Sequence, residues 1–117
     1  MKAEEKVPYE LILEGQFEPA LTAYSKVKEE HPDYRMVSEE YINDMGYRLL
    51  RNKEVKKAID LFKINTLLYP NSGNAYDSLA EAYLANGDKK LAKENYQKAL
   101  KLNPNNENAA KIVKSLE

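Results

Sequence analysis

No cysteine occurs among the 117 residues. That excludes disulfides, thiolate metal sites and cysteine nucleophiles together, and it leaves the redox compartment open. There is one histidine, His31. A metal site or an imidazole relay would need partners that this chain does not supply. No run of about 18 apolar residues is present, so the chain encodes no helical membrane span. The opening MKAEEKVPYE lacks the apolar core of a secretory leader. Neither sign of charge is in surplus: Lys+Arg is 18, Asp+Glu is 19 and the net charge is −1. Phosphate contacts need a basic excess or stripe, so nucleic acid is not an expected partner. The lysine clusters are interrupted, Lys53, Lys56 and Lys57 by Asp60, and Lys89, Lys90 and Lys93 by Glu94.

What the chain does have is a period. Ala58, Phe62, Asn65 and Pro70 stand at offsets 0, +4, +7 and +12, and Ala92, Tyr96, Ala99 and Pro104 repeat that spacing 34 residues later. Ala20, Tyr24, Val27 and Pro32 give it a third time, but Ala58 follows Ala20 by 38 residues. A fixed interval of this size marks stacked helical hairpins. Such arrays present surfaces, whereas pocket enzymes converge reactive groups on one point.

The clearest unit runs from Gly73 to Asn105. Ala75, Tyr76, Leu79, Ala80 and Tyr83 form one apolar helical face, with Ser72 as N-cap and Gly87 as a left-handed terminator. Asp88 is expected to cap the next helix, whose apolar face reads Leu91, Ala92, Asn95, Tyr96, Ala99 and Leu100, and Pro104 stops it. In the preceding unit Ile42, Met45, Gly46 and Leu49 hold the places of Tyr76, Leu79, Ala80 and Tyr83. Its second helix carries Val55, Ala58, Ile59, Phe62 and Leu68, and Lys53 takes the place of Gly87. The four extra residues of the first interval are close to one helical turn, so the helix starting near Asp33 is expected to be one turn longer at its front. Ahead of Gly15 only a short helix fits, about Pro8 to Glu14, and the next starts near Glu18. Ala109, Ala110, Ile112, Val113 and Leu116 predict a seventh helix, apolar on one side, that covers the last unit.

Tyr76-x2-Leu79-Ala80-x2-Tyr83, followed by Ala92, Tyr96, Ala99 and Pro104, resembles the tetratricopeptide repeat. The resemblance implies an all-α, right-handed α-solenoid of three helix pairs and a C-terminal capping helix. It implies one domain over residues 1–117, with repeats at about 4–32, 33–70 and 72–104 and the cap at about 106–116. In the first unit Glu4, Val7, Pro8 and Leu11 depart from the family's pattern. The stretch from Ile42 to Asn106 is also similar to the repeat region appended C-terminally to bacterial beta-lactamase and esterase-type serine hydrolases. The hydrolase's activity is not carried over. The irregular start suits a segment cut from a longer chain, or one that packs on a neighbour.

In such an array the first helix of each unit lines the concave surface. By register that surface comprises Tyr9, Ile12 and Leu13; Glu40, Asn43, Asp44, Tyr47 and Arg51; and Asn74, Asp77, Ser78, Glu81 and Leu84. Asn side chains can pair with a peptide backbone, and Tyr and Leu supply apolar contact. The blander reading is a set of solvated helix faces. The family's clamp for acidic chaperone tails uses Lys, Asn, Asn, Lys and Arg, and here those places hold Glu5, Tyr9, Asp44, Asn74 and Ser78. Unpaired carboxylates repel an anionic tail, so a neutral or basic protein or peptide is expected. His31, at a helix C-terminus, suits the helix dipole. Glu29-Glu30 and Glu39-Glu40 are adjacent pairs that point apart on a helix and do not share a site. No enzyme, cofactor or metal is expected. The leading function is a non-catalytic protein-interaction module. The alternative is a structural or oligomerising accessory of a serine hydrolase, for which a homodimer is the natural form.

Overall fold

The computed structural model describes residues 7–117, so the expectations for Glu4 and Glu5 lie outside the described residues. Seven α-helices follow one another: α1 Pro8–Leu13, α2 Phe17–Glu30, α3 Glu39–Arg51, α4 Val55–Leu68, α5 Gly73–Ala85, α6 Lys89–Leu102 and α7 Glu107–Ser115. A single 3-10 turn, Arg35–Val37, precedes α3, and no strand occurs among the described residues. Helices adjacent in sequence pack as hairpins, α1 on α2, α3 on α4 and α5 on α6. The hairpins stack in chain order and α7 closes the end of α6. The result is the expected α-solenoid, 49 × 27 × 20 Å.

The hairpin turns share one path. Gly15, Lys53 and Gly87 have φ of 74°, 64° and 85°. In each turn the next residue's N–H reaches back to a carbonyl five positions earlier, at 2.9 Å: Gln16 to Leu11, Glu54 to Leu49, Asp88 to Tyr83. This bond satisfies a carbonyl that the helix end would otherwise leave unpaired. Lys53 follows the glycine path despite its Cβ. The carboxylate of Asp88 does not cap α6 as the sequence suggests; it accepts from Asn86 Nδ2 at 2.8 Å.

The N-terminal caps keep the period. The side chains of Ser38, Ser72 and Asn106 accept from the N–H groups of Tyr41, Ala75 and Ala109. Successive caps stand 34 residues apart. The four extra residues therefore fall before Ser38, not inside α3, and the expected lengthening does not occur. Ser38 is extended, with φ −71° and ψ 148°, and this interrupts the helix. The added chain winds into the 3-10 turn and drives Val37 fully into the core. The Tyr69 hydroxyl donates to the Val37 carbonyl and pins the turn to the end of α4.

Ala20, Ala58 and Ala92 are fully buried, and Tyr24, Phe62 and Tyr96 sit beside them with at most 4% exposure. Small residues let the helices approach, and the rings fill the space alongside. Each buried ring contributes on the order of 1.5–3 kcal/mol. α4 is buried on more of its surface than one amphipathic stripe allows. Leu61, Ile64, Asn65 and Thr66 are inside as well as the predicted Ala58, Ile59 and Phe62. It is the central helix, packed by α1, α2, α3 and α5. Elsewhere the expected faces are slightly too wide. Leu91 is 40% exposed, Ala110 is exposed, and Tyr76 is half-buried with the Lys98 ammonium 4.8 Å from its ring centre. These positions lie on the margin of a stripe that only two neighbours cover.

Candidate functional site

α3 and α5 lie side by side, and α5 is tied in turn to the start of α7. The first-helix residues named from the register divide by burial along this row. Glu40, Asp44, Arg51, Asn74 and Glu81 are exposed, as is Leu13 on α1. Tyr9, Asn43, Tyr47, Asp77 and Leu84 are half-buried. Ile12 and Ser78 are not surface residues: Ile12 is fully buried and Ser78 is 2% exposed. Ile12 belongs to the main core, and Ser78 lies beneath the hydroxyl of Tyr47. One position on a helix separates a groove residue from a core residue, and register alone does not resolve that step.

Tyr47 organises the centre of the row. Its ring meets Phe62 edge-on at 5.1 Å between centroids, an arrangement that suits the ring quadrupoles. Its hydroxyl donates to Glu81 Oε1 at 3.0 Å, which joins α3 to α5. Burial pushes the Tyr47 pKa up to about 12; the Ser78 hydroxyl opposes this and the Glu81 charge adds to it. Asp77 accepts from Asn106 Nδ2 at 2.5 Å, while Asn106 Oδ1 caps α7. Asn106 therefore extends the row onto α7. The sequence reading passed over it, although its place in the 34-residue series of caps is a signal that could have found it. Asn43 Oδ1 is buried without a hydrogen bond among the described residues.

The carboxylate pairs separate as expected for adjacent helical residues. Glu39 accepts from Ser72 Oγ at 2.7 Å and its carbonyl accepts from Asn65 Nδ2 at 3.2 Å, while Glu40 is exposed. His31 ends α2 and stacks on Tyr34, with ring centroids 4.3 Å apart. Ser25 to Lys28 has Ser-x-x-Lys spacing, which sequence inspection did not pick out. The Lys28 ammonium lies 5.0 Å from the Tyr69 ring centre. Among the described residues no three His, Asp or Glu side chains gather to hold a metal ion, and no helix is long and apolar enough to cross a membrane.

Two hollows open on the surface. One, of about 480 Å³, runs along Leu68, Tyr69, Pro70, Asn71 and Ser72 beside Glu39. The other, of about 190 Å³, is lined by Val7, Tyr9, Tyr24, Met36, Tyr41 and Met45. It lies between the first hairpin and α3.

Residues 73–106 match the family profile described as the tetratricopeptide repeat. No curated protein sequence matches the chain. Solved structures are similar in fold. A point mutant of MamA superposes with TM-score 0.71 at 16% identity, over 93% of this chain and 77% of that one. The first repeat domain of Spaghetti (RPAP3), bound to the HSP90 peptide SRMEEVD, gives 0.64 at 20% identity, over 93% and 83%. The Sgt2 repeat domain from Aspergillus fumigatus gives 0.64 at 17% identity, over 93% and 71%. The chain thus carries a tetratricopeptide repeat within an array of that fold.

Proposed function

We propose that this chain is a non-catalytic docking module whose first-helix face receives a neutral or basic peptide or partner segment. The observation that carries the reading is the composition of the row on α3 and α5. Asp44, Tyr47, Asp77 and Glu81 supply carboxylates around an aromatic ring, with Asn43 and Asn74 as amides for a peptide backbone. Arg51 is the basic member of the set. Tyr9 would extend the contact towards α1. A partner of like charge is disfavoured there, because carboxylates brought together and dried repel strongly. Phosphodiester chains are disfavoured for the same reason. That Spaghetti (RPAP3) holds an acidic peptide supports peptide docking on this fold, and the acidic residues here predict the opposite charge preference.

The accessory role beside a serine hydrolase, and the homodimer it would build, rest on the sequence resemblance alone. A peptide array graded from net acidic to net basic tests the docking reading. Basic and neutral members should be retained, and SRMEEVD should not. Asp44→Lys with Glu81→Lys, both at exposed positions, should reverse the order. Retention of acidic peptides by the unaltered chain, or indifference to the reversal, would remove this face from consideration.

A further inference from the structure

The 190 Å³ cavity exists because the first interval is four residues longer than the second. Met36, part of the 3-10 turn those residues form, makes one wall. Three tyrosines, two methionines and one valine line it, and no carboxylate does. Tyr24 is 4% exposed, and none of the hydroxyls of Tyr9, Tyr24 and Tyr41 has a hydrogen-bond partner among the described residues. A buried hydroxyl without a partner costs about 1–3 kcal/mol, which a guest with an acceptor atom recovers. The hydroxyls are close enough to influence one another. Burial raises the Tyr24 pKa first, and the hydroxyls of Tyr9 and Tyr41 raise it further.

The charges around the cavity are positive. The Arg35 guanidinium sits 5.1 Å from the Tyr41 ring centre, and Arg48 and Lys57 act on Tyr9. Lys57 is engaged with Glu54 at 3.0 Å. Arg35 and Arg48 pair with no carboxylate among the described residues. An aromatic cage for a quaternary ammonium needs open ring faces and no competing cation. Here an arginine already occupies one face, which argues for the opposite charge. The volume is well below the roughly 300–1,000 Å³ of pockets for drug-sized ligands, so one side-chain-sized apolar body enters.

We propose that this cavity binds a compact apolar group bearing a carboxylate, with the tyrosine hydroxyls and Arg48 receiving the anion and Met36 and Met45 packing the body. The carboxylate can come from a free small acid or from the terminal residue of a peptide. The site shares Tyr9 with the docking face but does not depend on it.

Methionine methyl NMR on the full chain tests the site, with Met36 and Met45 assigned by Met→Leu substitution. The probes are 3-phenylpropionate, its uncharged amide, and a short peptide ending in Phe as free acid or as amide. Saturable shifts of both methyls are expected with an acid, and at least tenfold weaker binding with the matching amide. Arg48→Gln and Tyr24→Phe should each weaken the acid about tenfold while the urea midpoint stays within error. A response to the small acid assigns the site to metabolite-sized ligands, and a response to the peptide acid alone assigns it to chain ends. No saturable shift with either acid at millimolar concentration, or equal affinity for acid and amide, overturns the proposal.

Discussion

Placing a single methyl group at Gly46 tests the packing logic of the whole array. Ala is a better helix former than Gly by about 0.5–1 kcal/mol, so on propensity Gly46→Ala should stabilise the interior of α3. The tertiary structure predicts the reverse. A Cβ at Gly46 would lie 2.3 Å from Phe62 Cε1 and 2.7 Å from Cδ1 and Cζ. Carbon atoms prefer about 3.5–4.0 Å, so the ring would have to retreat by more than about 1 Å. Phe62 is fully buried in α4 with Tyr47 edge-on against it, and it has nowhere to go. Overpacking of this kind costs about 1–3 kcal/mol, so the net loss should be about 1–2 kcal/mol after the helix gain. Urea melts of the parent, Gly46→Ala, Phe62→Leu and the double variant provide the cycle. Phe62→Leu removes the clashing ring edge, so the double variant should be less destabilised than the sum of the singles by about 1 kcal/mol. A Gly46→Ala midpoint equal to or above the parent's would refute the close-crossing argument.

Lys53→Gly should raise stability by about 0.5–1 kcal/mol, because relief of a left-handed residue exceeds the added freedom of the unfolded chain; an unchanged or lower urea midpoint counts against the shared turn path. Tyr96→Ala should cost about 3–5 kcal/mol and Ala92→Leu about 1–3 kcal/mol, read from the same melts. Asn106→Ala should cost about 0.5–2 kcal/mol through the lost cap of α7, and amide exchange should speed up in α7 before it does in α3. Alkaline pH should destabilise the fold. Burial raises the Tyr96 and Tyr47 pKa values to about 12, against about 10 in the unfolded chain. The native state then holds protons that the unfolded state has released. Stability is full below pH 10 and falls between 10 and 12 by up to about 1.4 kcal/mol per pH unit for each tyrosine. A flat stability profile across that window would contradict the burial of these hydroxyls.

The fold was legible because its determinants are local. A small residue, a ring four positions on and a proline after the helix recur at one interval, and each step can be read without knowing what lies across the crossing. The positive φ of Lys53 was legible in the same way, by alignment with Gly87. The site was less so. Ile12 and Ser78 were assigned to the surface, and both are core, because a helix face narrows or widens with the number of neighbours that cover it. α4 shows the other side of this: four helices surround it, and it buries polar Asn65 and Thr66 that no amphipathic pattern would place inside.

The four-residue excess shows where the division falls. The intervals alone determined that something extra lies between Pro32 and Ala58, that the array is helical, and that it lacks the thiols and imidazole pairs of many active sites. Tertiary structure decided what the extra residues do. Helix continuation and a 3-10 turn are close in local energy, and the Ser38 cap, the burial of Val37 and the Tyr69 hydroxyl select the turn. That choice, made by contacts distant in the chain, opens the tyrosine-lined cavity and joins Tyr47 to Glu81 and Asp77 to Asn106.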